Sequence, residues 1–268
     1  AGVQFALAVF HLRRRRCVLC MKVDRASSRH LPGEPGIWIL ILGDLVLFLD
    51  YDDPSSGIFA QMFGAANAAR YMELRYQLRL EEARAFSREL WEAVGAEPWT
   101  AISQAVGAQY ERLFAALPGG LFTYGNVDIP ALWADYLRPD QHVLDGEVVE
   151  RGGLRLGFVG GGLRTPMRTP FEISDEEFAA KVERLGAVDI LFSHIPPAVP
   201  EATYDVVARR LERGSRVLRE YIGDVQPRFA LHGHVHQPLV PRVSIGRTSV
   251  VNVGHFRSRQ RPYVLTVE

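Results

Sequence analysis

The pattern of apolar and polar positions changes character at about residue 37. From there on, short β-branched runs alternate with amphipathic stretches, which is the mark of an α/β arrangement. Strands are predicted at Trp38–Leu42, Leu121–Tyr124, Val143–Val149, Leu154–Val159, Val188–Ser193, Arg228–Leu231, Thr248–Val253 and Tyr263–Val267. Between the first two lies a long helical stretch, Ile58–Val94 and then Thr100–Leu117 after the Glu97-Pro98 break. Its first part is rich in Ala, Leu, Glu and Arg, with Tyr71, Leu74 and Leu78 and then Tyr76 and Leu80 at helical spacing. Ser174–Leu185 is a further predicted helix, with Ser174 as N-cap and Glu177 three residues on as the second half of a capping box. Thr203–Arg213 is predicted helical as well. The simplest assembly is a sheet structure with a cap of helices beside it.

Composition narrows the class. With 268 residues, 47% hydrophobic and 10% aromatic, the chain has the profile of a globular protein. A chain of this length can bury roughly 75% of its unfolded surface, so one large domain is the default. The longest apolar stretch, residues 37–49, is interrupted by Asp44 and falls short of the ~20 residues a membrane-spanning helix needs. The apolar opening, residues 3–10, precedes its arginines, whereas a secretory signal puts the positive region first. Cys17 and Cys20 form a single C-x-x-C with no partner pair for a zinc site, and read as incidental cysteines of a reducing compartment. A cytoplasmic location is expected.

Lys and Arg together number 31, as do Asp and Glu, and a formal charge of zero argues against specific binding to a nucleic acid. The sum hides an imbalance. Residues 1–36 carry Arg13, Arg14, Arg15, Arg16, Lys22, Arg25 and Arg29 against Asp24 and Glu34, so this segment is strongly basic and the rest is mildly acidic.

Five short constellations each follow a predicted strand, on the edge where open α/β sheets place their ligands. They are Gly43-Asp44, Gly125-Asn126-Val127-Asp128, Ser193-His194, His232-Gly233-His234-Val235-His236 and Asn252-Val253-Gly254-His255. Asp, Asn and His in this mixture suit borderline divalent cations such as Mn²⁺, Fe²⁺ or Zn²⁺, with imidazole nitrogen and carboxylate or amide oxygen as donors. The glycines before Asp44, Asn126 and His234 remove Cβ bulk where chain and ion approach.

In this order, G-D … G-N-x-D … S-H … G-H-x-H … N-x-G, the motifs resemble those of the calcineurin-like metallophosphoesterases. The tail, His234-Val235-His236-Gln237-Pro238 through Asn252-Val253-Gly254, is most similar to their small bacterial phosphodiesterase branch. The resemblance runs from about Ile37 to the C-terminus. It implies two mixed β-sheets packed as a sandwich flanked by helices, with two divalent ions at the strand ends and a helical insertion at about 58–117. It implies that Asp44 bridges the ions, that Asn126, His194 and His234 complete one site, and that His236 serves the other. The implied activity is hydrolysis of a small phosphoester, a diester before a monoester, by a hydroxide bridging the two metals.

Two departures qualify the resemblance. No D-x-H precedes Gly43; Asp24, at the end of the apolar run 18–23, is the best placed substitute ligand, and His30 is a more distant one. Residues 1–36 therefore read as an atypical segment, either a divergent or a mis-encoded first strand. Val127 stands where most of the family has a His that protonates the leaving group, so turnover of poor leaving groups should be slow, with His255 and His142 as stand-ins. Asp128 is expected to orient a neighbour or to cap the helix starting at Ile129-Pro130, and Asp50, Asp52 and Asp53 to form a polar loop or an acidic rim. Arg164 and Arg168, after the glycine-rich turn 160–162, could face a phosphate. The incomplete first motif also motivates a rival reading, a catalytically impaired protein that serves as an interaction scaffold.

Overall fold

The computed structural model describes residues 7–12 and 37–267. Strands β1 (Leu7–Leu12) and β2 (Ile37–Leu42) precede four helices, α1 (Ile58–Phe63), α2 (Ala65–Tyr76), α3 (Leu80–Val94) and α4 (Pro98–Ala116). Next come β3 (Gly120–Thr123), α5 (Pro130–Trp133), β4 (Gln141–Val143), β5 (Glu147–Arg151) and β6 (Leu154–Val159). A short pair β7 (Gly162–Leu163) and β8 (Glu172–Ile173) leads to α6 (Asp175–Glu183) and β9 (Ile190–Ser193). The chain continues through α7 (Pro200–Thr203), β10 (Tyr204–Asp205), β11 (Arg210–Leu211), α8 (Arg216–Val225) and β12 (Phe229–His232). It closes with β13 (Arg242–Ile245), β14 (Thr248–Asn252), α9 (Phe256–Arg259) and β15 (Tyr263–Val267).

Two mixed sheets result. One has the order β15-β1-β2-β3-β4, the other β13-β14-β12-β9-β6-β5. The central pairs β2-β3, β3-β4, β14-β12, β12-β9 and β9-β6 are parallel, and the edge strands β13 and β5 run antiparallel to their neighbours.

Alternation along the strands sorts side chains into layers. Leu40 and Leu42 of β2 join Leu121, Phe158, Phe192, Leu231 and Leu265 in a cluster fed by both sheets. Phe158 and Phe192 stack there with centroids 4.9 Å apart. Ile39 and Ile41 point the other way, onto Val106, Tyr110, Leu113 and Phe114 of α4 and Trp133 of α5. On the outer face of the second sheet, Leu191, Ala230 and Val250 pack on Phe178 and Val182 of α6 and on Leu218 and Ile222 of α8. The α/β fold is thus a sandwich of two mixed sheets with helices on both outer faces, as expected. Each fully buried Leu or Phe in these layers is worth about 1.5–3 kcal/mol of transfer free energy.

Local signals explain most element ends. Ser174 accepts from Glu177 N at 3.1 Å and Glu177 accepts from Ser174 N at 2.8 Å, so the capping box forms. Pro98 opens α4 while the Glu97 carboxylate takes the N–H groups of Trp99 and Thr100. The stretch Ile58–Val94 is three helices rather than one, broken at Gly64 (φ 85°) and at Leu78 (φ 57°), both left-handed. The predicted strand Val143–Val149 is two, because Leu144-Asp145-Gly146 carries the chain from one sheet to the other with Gly146 at φ 71°.

Thr203–Arg213 is not a helix. Pro200 starts a single turn, and the Asp205 carboxylate then accepts from Val207 N, Ala208 N and Gln237 N. Those bonds offer the backbone an alternative to helix propagation, and the segment closes as the β10-β11 ribbon. The residues 13–36, with Cys17, Cys20, Asp24 and His30, lie outside the described residues, as does the run 18–23. Within the first 36 residues the described strand is β1, antiparallel to β2 with Leu7 opposite Ile41 and His11 opposite Ile37. Its C-terminal end therefore points away from Asp44. Among the described residues no helix is long and apolar enough to cross a membrane.

Candidate metal centre

The first sheet brings two loops into one corner. Gly43 and Asp44 leave β2, and Gly125 and Asn126 leave the neighbouring β3. The contact is so close that a Cβ on Gly43 would lie 2.0 Å from Gly125 N, and one on Gly125 would lie 2.1 Å from Asp44 Oδ1. What these two glycines admit is therefore the facing loop and the aspartate itself. The second sheet supplies His194 after β9 and His234 and His236 after β12. Asp44 (φ 61°) and His234 (φ 64°) both sit in the left-handed region, which costs a non-glycine residue on the order of 1–2 kcal/mol.

Asp128 holds the Asp44 loop. Its Oδ2 accepts from Asp44 N at 2.9 Å and Gly125 N at 2.7 Å, and its Oδ1 accepts from Leu45 N at 2.8 Å. The carboxylate is wholly buried, so it ties the two loops together and does not cap α5, whose first turn has no side-chain cap. Burial, and then the Asp44 charge, raise Asp128 to about 7, against the pull of those three backbone donors.

Four donor atoms converge above this corner. The Nδ1 of the fully buried His194 lies 2.7 Å from the Leu42 carbonyl, which can only accept, so Nδ1 carries a proton and the ring presents Nε2 inward as its metal-facing nitrogen. There Nε2 meets Asn126 Oδ1 at 2.9 Å and Asp44 Oδ1 at 3.4 Å. His234 Nδ1 lies 2.9 Å from the same Asn126 oxygen. Burial, more than the neighbouring imidazoles, pushes His234 down to about 3, so its ring is neutral near pH 7.

The orientation of the Asn126 amide follows from its outer partners. Glu172 can only accept, and Thr169 Oγ1 donates to Glu172 Oε1 at 2.7 Å. The hydroxyl oxygen is then left to accept from Asn126 Nδ2 at 2.9 Å. That turns the amide oxygen toward the histidines.

In the form of His194 that ligates a metal, with Nε2 unprotonated, its contacts with Asn126 Oδ1 and Asp44 Oδ1 set lone pair against lone pair, and a cation among them relieves this. The ligand atoms of Asp44, His194 and His234 all lie within 4.8 Å of one another, so small side-chain movements bring them to the separation of at most about 4.2 Å that bonds of about 2.1 Å to one ion allow. The group could hold a metal ion, and its donors fit one in number and chemistry.

His236 lines the same cavity, with Asp44, His194, His234 and His255. Its ring stacks on His255 with centroids 4.1 Å apart. His232 is buried at the end of β12 with Nδ1 facing Gly233 O, and does not line the cavity. His142 lies exposed on β4, away from it. Asp50 is buried, ion-paired with Arg257, and accepts from Asp52 N and Asp53 N, while Asp53 accepts from Ser55 and Ser56. That segment is a closed turn and not an open acidic rim. Thr169, Glu172 and the Leu42 carbonyl, which orient the donors, carry no spacing that sequence reasoning could have read.

No family model matches the chain. The uncharacterized protein MJ1162 of Methanocaldococcus jannaschii is 31% identical over 134 residues, which are 48% of this chain and 60% of that protein, less than two thirds of its length. One crystal structure superposes with a TM-score of 0.47 at 19% identity, covering 66% of this chain and 75% of the other. That of TT1561 from Thermus thermophilus gives 0.41 at 17% identity, over 57% and 70%.

Proposed function

We propose that the protein is a metal-dependent phosphoester hydrolase acting on a small substrate, a diester in preference to a monoester. The observation that supports this reading most directly is the lone-pair corner of Asp44, Asn126, His194 and His234, built by two sheets at their strand ends. The ordered motifs of the sequence point the same way. Asp44, Asn126, His194 and His234 would hold one divalent ion, and Asp44 and His236 would begin a second site, with Asp24 as a further ligand from outside the described residues. Mn²⁺, Fe²⁺ and Zn²⁺ suit this mixture of nitrogen and oxygen donors.

When bound, such ions supply a lowered pKa for water and charge neutralisation at a phosphoryl oxygen. The chain's own contribution is positional. Leu42 O keeps His194 in one tautomer, Thr169 keeps the Asn126 oxygen inward, and Asp128 fixes the Asp44 turn. Val127 offers the leaving group no proton, which favours esters with good leaving groups.

The test is Mn²⁺-dependent hydrolysis of an activated aryl phosphodiester by wild type and His234→Ala, with metal content measured on both. Loss of at least 100-fold in rate together with loss of metal supports the assignment. Full activity in the variant refutes it. A rival reading, a scaffold on the same fold, is motivated by the single three-donor group found among the described residues. One ion or none per chain, with no turnover of any ester, favours the scaffold.

A further inference from the structure

Beside the metal centre a groove of about 580 Å³ opens between the start of α3 and the loop 164–172. That is the size of a small-molecule pocket. Thr169 joins the two places, since it lines the groove and also anchors Asn126.

The charges in the groove do not cancel at its open face. Arg84, Arg164 and Arg168 line it with Glu81 and Glu172. Glu172 is consumed by the loop itself: it accepts from Thr165 N at 2.6 Å, Thr165 Oγ1 at 2.7 Å, Thr169 N at 3.0 Å and Thr169 Oγ1 at 2.7 Å. Glu81 is paired with Arg84. Arg164 and Arg168 are exposed, and among the described residues neither has a carboxylate within ion-pair distance. Arg164 acts at longer range on Glu176 and Glu177 at the start of α6.

The loop that carries both arginines is fixed and not merely exposed. Besides the four bonds to Glu172, Arg168 N donates to Thr165 O at 3.2 Å and Met167 N to Thr165 Oγ1 at 3.1 Å. Arg168 itself is held at φ 52°, in the left-handed region. Arg84 Nη2 reaches across from α3 to Pro166 O at 3.3 Å, which ties the helical insertion to the same wall. Two guanidinium forks on a braced loop suit a phosphate, whose oxygens accept from both.

We propose that this groove seats a second phosphate group of the substrate, remote from the ester that is cleaved. This rests on the phosphoesterase reading and names its substrate class: an ester that also carries a terminal phosphate. The insertion helix α3 then serves as the outer wall of a specificity pocket.

Two measurements test it. In the first, inorganic pyrophosphate is titrated calorimetrically into the full chain stripped of metal. Arg164→Gln/Arg168→Gln should weaken binding at least 10-fold, Arg164→Lys/Arg168→Lys should retain most of it, and Glu81→Gln, which frees Arg84, should tighten it two- to five-fold. In the second, KM is compared in the Mn²⁺-loaded protein for an aryl phosphodiester with and without an appended phosphate. The glutamine pair should raise KM for the phosphate-bearing ester at least 10-fold more than for the plain one. Pyrophosphate affinity within twofold of wild type in the glutamine pair, or an equal KM change for both esters, overturns the proposal. Arginine-dependent pyrophosphate binding by a protein that hydrolyses no ester supports the anion pocket and overturns the hydrolase reading instead.

Discussion

Replacing Thr169 by valine removes one oxygen and leaves the side-chain shape nearly unchanged. In the wild type that oxygen accepts from Asn126 Nδ2 and so keeps the amide oxygen turned toward His194 and His234. In Thr169→Val the NH₂ group loses its partner, and the amide gains by turning over, because its donors then meet the lone pair of His194 Nε2. The hydrogen bond gained is worth about 0.5–1.5 kcal/mol net, so the turned amide is favoured by about that much. A metal needs the oxygen and must reverse the turn, which weakens its binding roughly 3- to 12-fold, toward the lower end of the range known for groups that orient metal ligands. Stability without metal should fall by less than about 1 kcal/mol, since Glu172 keeps its donors from Thr165 N, Thr165 Oγ1 and Thr169 N. Calorimetric Mn²⁺ titration gives the affinity and urea unfolding the stability, with Thr169→Ser as the variant that restores both. Mn²⁺ affinity within twofold of wild type refutes the reasoning. So does a stability loss that accounts for the whole affinity loss, which would mean the loop has collapsed.

Two further outcomes follow from the site. At a free Mn²⁺ concentration 100 times its dissociation constant, linkage adds about 2.7 kcal/mol to stability, which at this chain size raises Tm by roughly 5–11 °C. Differential scanning calorimetry showing no rise with Mn²⁺, Fe²⁺ or Zn²⁺ would exclude the four-donor corner as a metal site. The second outcome concerns Asp128 in the metal-free protein, whose folded value of about 7 lies above the ordinary 3.8. The folded chain then holds a proton that the unfolded chain has released, so this contribution is full below about pH 4 and is lost as pH rises through 7, amounting to about 4 kcal/mol at most. Urea midpoints from pH 5 to 8 should fall for wild type and stay flatter for Asp128→Asn; parallel slopes would refute the titration of Asp128.

The α/β sandwich was legible wherever periodicity and termini agreed. The strands ending at Leu42, Val159 and Ser193 stand where their apolar runs end, and Ser174 with Glu177 marked α6 by chemistry that acts within one turn. The rest depended on contacts distant in sequence. The segment 203–213 has helical composition, yet Asp205 is held by Gln237 N and its own following turn. β13, with alternating exposure, is a strand because it pairs with β14. At the site, Asp44, Asn126, His194, His234 and His236 were readable as residue types after strands, and the structure places them around one corner and its cavity. The groups that give those donors direction were not readable, because a carbonyl such as that of Leu42 has no residue type, and Thr169 lies 43 positions from the amide it holds.

The donors of this corner are divided between the sheets, Asp44 and Asn126 on one and His194, His234 and His236 on the other. A single formed sheet offers either two oxygen donors or three imidazoles, and the complete mixed set exists only once the two sheets have docked. A cation held by the full set would act as a late rivet across the seam of the sandwich, bound most tightly after the sheets dock. It should lengthen the lifetime of the native state by slowing unfolding while leaving the folding rate unchanged. Resistance to a protease that waits for the sheets to open would then track metal supply in the cell.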